Sequence, residues 1–339
     1  MSAESPSTTT TNGSGPAGAP DLGAYGPVGR SRWLDVDWRE HQRWFVIDGQ
    51  PVNTIELGPG RASADTRAEP PAGAPGASQP IVFVHGLSGS WPNWLEQLPV
   101  FGDEHRVIAL DLPGFGHSPM PAESHQPSTG ISISGYARLL DRLLDELGID
   151  AAAIVGNSMG GFIGAELAIG FPQRVERLVL VSPAGISTTA NPDVARVIPT
   201  LRRLERMLAA STTWVASKSD TVARRARLRD ALLNVVTRHP SRLPATLAAE
   251  QLRGSGKPGF MQALQAVHDY DFRARLPEIA CPTLVVWGAS DRLIPVRDAD
   301  VFVELIPNSR KVIFPDTGHM AMLERPAAFN KLLAEFLAE

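Results

Sequence analysis

The sequence predicts an α/β fold: a mostly parallel, doubly wound sheet with a helical cap inserted over it. Three observations carry that expectation. Short, continuous apolar runs at residues 81–84, 107–110, 151–155, 179–182 and 283–288 have the character of strands covered on both faces. Segments with helical spacing alternate with them, and such alternation implies right-handed crossovers between parallel strands. From about residue 185 to 275 the alternation stops and the pattern turns wholly helical, as an insertion would.

Taken in order, residues 1–30 are rich in Ser, Thr, Gly, Pro and Ala, with neither the basic start nor the apolar centre of a secretory leader. They read as a disordered tail, too poor in apolar surface to offset the entropy of ordering. Residues 33–46 alternate apolar and polar side chains (Trp33, Leu34, Val36, Trp38, Trp44, Val46) and predict an antiparallel hairpin at a sheet edge. A third short strand is expected at 52–57. Residues 58–79 are Gly/Pro/Ala-rich and lie between two strand candidates, so they predict a surface loop. A strand at 81–84, a helix at 94–101 and a strand at 107–110 follow. Residues 133–147 place Tyr136, Leu139, Leu140, Leu143, Leu144 and Leu147 on one helical face, and Gly148 supplies the stop. A strand at 151–155 runs straight into a helix at 161–169, and another strand is expected at 179–182. The sheet resumes at 283–288, followed by a helix at 296–305, a strand at 311–314 and a last helix at 326–337. The domain reading is a core of residues 31–184 and 276–339 with a cap of residues 185–275.

Composition limits the function classes. With 339 residues, 43% hydrophobic and 20% charged, the chain can bury a large core. A net charge of −4 gives no reason to expect nucleic acid. The single cysteine, Cys281, excludes an internal disulfide and suits a reducing compartment. No apolar run approaches membrane-spanning length, so a cytoplasmic protein is expected. Between Leu201 and Arg242 nine Arg and one Lys face only Glu205, Asp220 and Asp230. A solvated outer face is the favoured reading of that excess; attraction to anionic lipid or an acidic substrate is the sharper one.

The chemistry centres on Gly156-Asn157-Ser158-Met159-Gly160-Gly161, where the strand at 151–155 meets the following helix. Gly-x-Ser-x-Gly arises easily by chance in a glycine-rich chain. At a strand-to-helix turn, however, it makes a sharp elbow that exposes the serine hydroxyl at the carboxyl end of the sheet. A serine hydroxyl is a weak nucleophile until a base takes its proton, and that base needs a partner to set its tautomer. Two late histidines are candidates. His319, in the loop after a predicted strand, is preferred; His268, in a cap helix, reads as structural or pocket-lining. Among Asp291, Asp298, Asp300 and Asp316, only Asp291 follows a strand at the sheet's carboxyl end. Asp298 and Asp300 read as helix caps or surface charges and Asp316 as a turn former. Backbone N–H groups of Met159 and Leu87 are the expected oxyanion donors, with His85 bracing the loop. Trp91, Trp94 and Met320 are candidates for an apolar substrate pocket; core packing is the better reading for Phe162.

These pieces, together with His85-Gly86-Leu87, Asp111-Leu112-Pro113-Gly114-Phe115-Gly116-His117-Ser118, Trp287-Gly288-x-x-Asp291 and Gly318-His319, resemble the α/β-hydrolase fold superfamily in order and spacing, from about Trp33 to the C-terminus. The resemblance implies an eight-stranded sheet, a Ser158-His319-Asp291 triad and no cofactor or metal. Ser158 sets the chain apart from the epoxide hydrolases and haloalkane dehalogenases, which carry aspartate there. The expected function is cleavage of carboxylic esters with apolar acyl groups through an acyl-enzyme, a small-molecule ester being the partner. The elbow is also similar to that of C–C bond hydrolases of aromatic ring-cleavage products. Those usually have a Ser-Gly-rich oxyanion loop, matched only in part by Leu87-Ser88-Gly89-Ser90, and an aromatic residue where Met320 stands. Cofactor-free haloperoxidases share the triad. A dinucleotide-binding reading of residues 111–116 fails because Pro119 occupies the third glycine position. A ligand-binding relative without catalysis is the remaining rival, and such relatives typically lack a triad member.

Overall fold

The computed structural model describes residues 23–59, 78–122, 130–189 and 218–339. Its strands are β1 (Gln42–Ile47), β2 (Gln50–Leu57), β3 (Ser78–Val84), β4 (His105–Leu110), β5 (Ala152–Asn157), β6 (Val175–Val181), β7 (Thr283–Gly288) and β8 (Ser309–Phe314). They form one eight-stranded sheet in the order β1-β2-β4-β3-β5-β6-β7-β8. β2 runs antiparallel to both β1 and β4, and every other neighbouring pair is parallel.

The continuous apolar runs follow from burial on both faces. Val82, Val84, Ile154, Leu178, Leu180 and Val285 point into one core; Ile81, Phe83, Val155, Val179, Leu284 and Val286 point into the other. Helices α1 (Ile133–Glu146) and α2 (Met159–Gly170) cover the first face. Ser132 caps α1, its hydroxyl accepting from the Gly135 N–H at 3.0 Å. Between β6 and β7 come α3 (Ser219–Ala223), α4 (Ala226–Leu233), α5 (Ala245–Arg253) and α6 (Phe260–Asp269). Helix α7 (Asp298–Leu305) adds Phe302 to the first core, and α8 (Pro326–Ala338) adds Phe329, Leu333 and Phe336 to the second.

Several expectations need correction. The edge hairpin is β1–β2, not residues 33–46. Asp48 and Gly49 form its two-residue connection with φ of 48° and 82°, the left-handed geometry that Asp-Gly favours. Residues Arg32–Asp35 are instead a 3-10 turn, and Trp38–His41 a helical turn capped by the Asp37 carboxylate at the Arg39 N–H. The helix expected at 94–101 is two short pieces, Trp91–Trp94 and Leu98–Phe101, each with a proline in its first turn. The disordered tail does not extend to residue 30, because Tyr25 is buried. Residues 1–22, most of the expected loop at 58–79, and part of the expected cap (190–217) lie outside the described residues.

Candidate active site

Ser158 sits between β5 and α2 with φ 56° and ψ −118°, a region that L-residues rarely occupy. The neighbours hold it there. Its N–H donates to the Val181 carbonyl at 2.9 Å, and its own carbonyl accepts from Phe162 and Ala184, both at 3.1 Å. Both flanking glycines are required. A Cβ on Gly156 would lie 2.3 Å from the Gly160 carbonyl, and one on Gly160 would lie 2.2 Å from the Val84 carbonyl. Gly160→Ala should therefore cost at least about 3 kcal/mol, since β3 and α2 would have to separate. Urea denaturation measures this, and a midpoint equal to wild type would contradict the packing described.

His319 follows β8, and Asp291 follows β7, three residues beyond the strand end. The two parallel strands carry both loops to the same sheet edge. Asp291 Oδ2 meets His319 Nδ1 at 2.8 Å, and both side chains are almost fully buried. Asp291 Oδ1 is occupied separately, accepting from the Leu293 N–H at 2.8 Å and the Ile294 N–H at 3.0 Å. The carboxylate is thus fixed in a turn of its own before it meets the imidazole. Packing of the two loops is tight: a Cβ on Gly288 would come 2.0 Å from the Gly318 carbonyl. The Asn157 side-chain amide bridges the elbow to the histidine loop, donating to the Val181 carbonyl at 3.0 Å and to the His319 carbonyl at 3.4 Å. His319 Nε2 is buried and has no hydrogen-bond partner among the described residues. An imidazole whose Nδ1 donates to a carboxylate has Nε2 free as a base.

The loop after β3 approaches the serine from the other side. A Cβ on Gly86 would meet Ser158 Cβ at 2.9 Å, so the backbone just before Leu87 lies against Ser158. Met159 is the first residue of α2, so its N–H has no carbonyl within the helix to bond. His85 is wholly buried and ties two loops together. Its Nδ1 donates to the Gly86 carbonyl at 2.7 Å, and Nε2 accepts from the Leu112 N–H at 3.0 Å. Burial pushes its pKa below the ordinary histidine range, in keeping with a neutral brace.

Asp111 organises the next loop. It accepts from the Trp91 N–H, the Asn53 amide and the His117 N–H, each at 2.8 Å. Gly116, at φ 53°, leaves room for that carboxylate: a Cβ there would lie 2.0 Å from Asp111 Cγ. Gly116 thus serves a carboxylate turn instead of a phosphate, and a Cβ on Gly114 would instead meet the Gly259 Cα at 2.8 Å. Burial alone would raise the Asp111 carboxyl, but its hydrogen bonds to His117 and to the Trp91 N–H hold it below the ordinary value of 3.8. A depressed folded pKa contributes stability that is complete above the unfolded value and is lost as pH falls through the folded one. Denaturation midpoints should therefore drop as pH falls below about 3.9, and Asp111→Asn should flatten that acid limb. An identical limb in the variant would contradict the assignment.

The pocket candidates divide. Trp91 is half-buried and stacks on Trp38 with ring centroids 4.9 Å apart. Trp94, by contrast, is fully buried against Phe83 and Phe329, so it belongs to the core beneath the sheet. Met320 is buried in that same core cluster. Phe162 packs on Phe272 with centroids 4.3 Å apart, as core packing predicts. Asp298 is not a surface charge but is buried, accepting from the Ser187 N–H and hydroxyl. Asp316 makes a turn at φ 48°. His268 bonds to Asp269 at 2.9 Å on α6. The cap arginines are not all a solvated face. Arg229 is buried and donates to the carbonyls of Ala223, Pro240 and Ser241. Arg238 pairs with Asp316. Sequence reasoning missed Asn157, Tyr25 and Glu324; for Glu324 the available signal was a carboxylate directly after the apolar run Met320-Ala321-Met322-Leu323. Among the described residues no cluster of three or more His, Cys, Asp or Glu could hold a metal, and no helix is long and apolar enough to cross a membrane.

Comparison with known proteins agrees with this architecture. The sequence pattern of the alpha/beta hydrolase fold family matches residues 79–326. The chain is 31% identical over 262 residues to the dihydrolipoyllysine-residue acetyltransferase component of the acetoin cleaving system of Cupriavidus necator, covering 77% of this chain and 64% of that one. It therefore spans less than two thirds of that relative. It is 29% identical over 302 residues to 2-hydroxymuconate semialdehyde hydrolase of Pseudomonas sp. strain CF600, covering 85% of this chain and 96% of that one. Among solved structures, a bacterial membrane phospholipase A superposes with a TM-score of 0.65 at 24% identity, covering 90% of each chain, a likeness of fold. A sheet of this order, with a serine elbow at its centre and a pattern match across most of the length, places the chain in the alpha/beta hydrolase fold family.

Proposed function

We propose that this protein is a serine hydrolase acting at a carbonyl carbon through Ser158, His319 and Asp291, and that its substrate is a ring-cleavage product of the 2-hydroxy-6-oxo-dienoate class. The observation that carries the catalytic reading is the buried Asp291–His319 contact of 2.8 Å, with Nε2 unpartnered at the edge where the strained Ser158 is displayed. The substrate class rests on relatives that match over nearly their whole length, such as the Pseudomonas hydrolase above. In this reading His319 Nε2 accepts the Ser158 proton as Oγ adds to the 6-oxo carbon. The Leu87 and Met159 N–H groups hold the oxyanion, each worth about 3 kcal/mol. The substrate reacts as its 2,6-dioxo tautomer, the 2-hydroxyl proton having moved to C5; the C5–C6 bond then breaks, its electron pair passing through the enone onto the 2-oxygen, which takes the proton held by His319 as the 2-hydroxydienoate leaves. Water, deprotonated by His319, releases the acid from the acyl-enzyme.

The second reading is cleavage of carboxylic esters with apolar acyl groups, favoured by Met320 where the ring-cleavage hydrolases usually carry an aromatic residue. Both readings use the same triad. Trp91 is proposed to border the pocket, and residues 185–275 to form its cap. A panel containing a ring-cleavage dienoate and p-nitrophenyl esters of graded chain length separates the two. Turnover of the dienoate at least about 100-fold more efficiently than any ester is the expected result. Turnover of esters alone would exchange the two readings. Absence of turnover, together with no labelling of Ser158 by a fluorophosphonate, would remove both.

A further inference from the structure

We propose that Glu324 is a positioning residue for the His319 loop and that Tyr25 is the latch which locks it, so that residues 23–26 fasten the cap to the catalytic edge. The inference rests on His319 being the base.

Glu324 is fully buried yet contacts neither Ser158 nor Asp291. Its carboxylate instead collects N–H groups on either side of His319. Gly318 N donates to both oxygens, at 3.0 and 2.9 Å, and Met320 N donates to Oε1 at 3.3 Å. Oε2 also accepts from the Arg238 N–H of the cap segment at 2.8 Å and from the Tyr25 hydroxyl at 2.6 Å. One side chain therefore joins three separate stretches of chain. A buried carboxylate is stable only where its lone pairs are filled, so the arrangement holds as a unit or loosens as one.

Tyr25 closes the unit. Its hydroxyl, while donating to Glu324, accepts from the His239 N–H at 2.8 Å. Its ring is contacted by two guanidinium groups, Arg242 of the cap segment at 4.8 Å and Arg325 of the core at 4.9 Å from the ring centre. The backbone is pinned as well: Gly26 N donates to the Glu324 carbonyl at 2.7 Å. The cap and the histidine loop also meet directly, His319 N donating to the Val236 carbonyl at 3.1 Å. A Cβ on Gly318 would lie 2.8 Å from Arg238 N, so the two backbones are in contact. Residues 236–239 and 318–320 are thus a single seam, with Glu324 and Tyr25 as its fasteners.

Two substitutions cut different arms. In Glu324→Gln, the amide oxygen can still accept from Tyr25 and Arg238 at the Oε2 position. Its NH2 then faces the Met320 N–H, donor against donor, and the Gly318 N–H keeps only one of its two acceptors. Tyr25→Phe keeps the ring against the arginines and removes only the hydroxyl. The test measures kcat, KM and the pH–rate profile of the full chain on the best substrate of the panel, with amide hydrogen exchange of 236–239 and 318–320. Glu324→Gln should lower kcat about 10- to 100-fold with KM within about threefold, because a small displacement of the base costs the chemical step and not binding. It should also move the acid limb of the profile and speed exchange at 318–320. Tyr25→Phe should lower kcat several-fold and speed exchange at 236–239 first. Should Glu324→Gln not fold, Tyr25→Phe decides by itself. Wild-type kcat, pH profile and exchange in Tyr25→Phe would overturn the proposal, as would a loss confined to KM or to the amount of folded protein. If wild type neither turns over nor labels at Ser158, the catalytic reading fails by that result. Exchange at the seam still decides the latch.

Discussion

Ser158→Ala is expected to lower kcat by a factor on the order of 10⁶, with unchanged secondary structure and no labelling by a fluorophosphonate. The magnitude follows from the loss of the only proposed covalent partner. Triad members act as a unit, so His319→Ala should cost about as much and the double variant little more. The fold should survive, because among the described residues the Ser158 hydroxyl makes no hydrogen bond that supports the elbow. The elbow is held by the Ser158 backbone, through Val181, Phe162 and Ala184. Turnover of the best panel substrate, with mass spectrometry of the labelled peptide, checks the prediction. Retention of wild-type turnover by the alanine variant would remove Ser158 from the mechanism.

Asp291→Asn is expected to lower kcat about 10⁴-fold, the scale seen where the acid of such a triad is made an amide. The geometry here says why the amide could not simply turn to accommodate. Two N–H groups, from Leu293 and Ile294, point at Oδ1, and the asparagine carbonyl must take that place. Its NH2 is left facing His319 Nδ1, which must then act as acceptor. The imidazole proton moves to Nε2, and the base toward Ser158 is gone. Imidazole nitrogen NMR should show the exchanged tautomer, and kcat should recover in part at high pH. A variant with wild-type kcat would mean that His319 is oriented by another group.

Much of this was legible along the chain. The apolar runs of β3, β5 and β7 are unambiguous because burial on both faces removes polar residues altogether. The elbow was legible because its glycines answer to local backbone collisions within a few residues. Asp291 and His319 could be chosen because strand ends predict which loops share an edge. The early misreading, the hairpin at 33–46, came from a brief alternation that a single capped turn at Asp37 also satisfies. Trp94 lies in the core and not at a pocket; aromatic character alone does not tell which face of a loop is inward.

By itself, then, the sequence determined the sheet, the elbow and the order of Ser158, Asp291 and His319, the residues proposed as nucleophile, acid and base. These depend on periodicity, on glycine sterics and on strand polarity, all of which are local. Only the tertiary structure decided that Asp111 and Gly116 build a carboxylate turn, that Arg229 is buried, and that Glu324 and Tyr25, 299 positions apart, share a hydrogen bond. Such pairings depend on which distant backbone amides are left without partners once the sheet closes. That is a property of the packed molecule, and no window of neighbouring residues contains it.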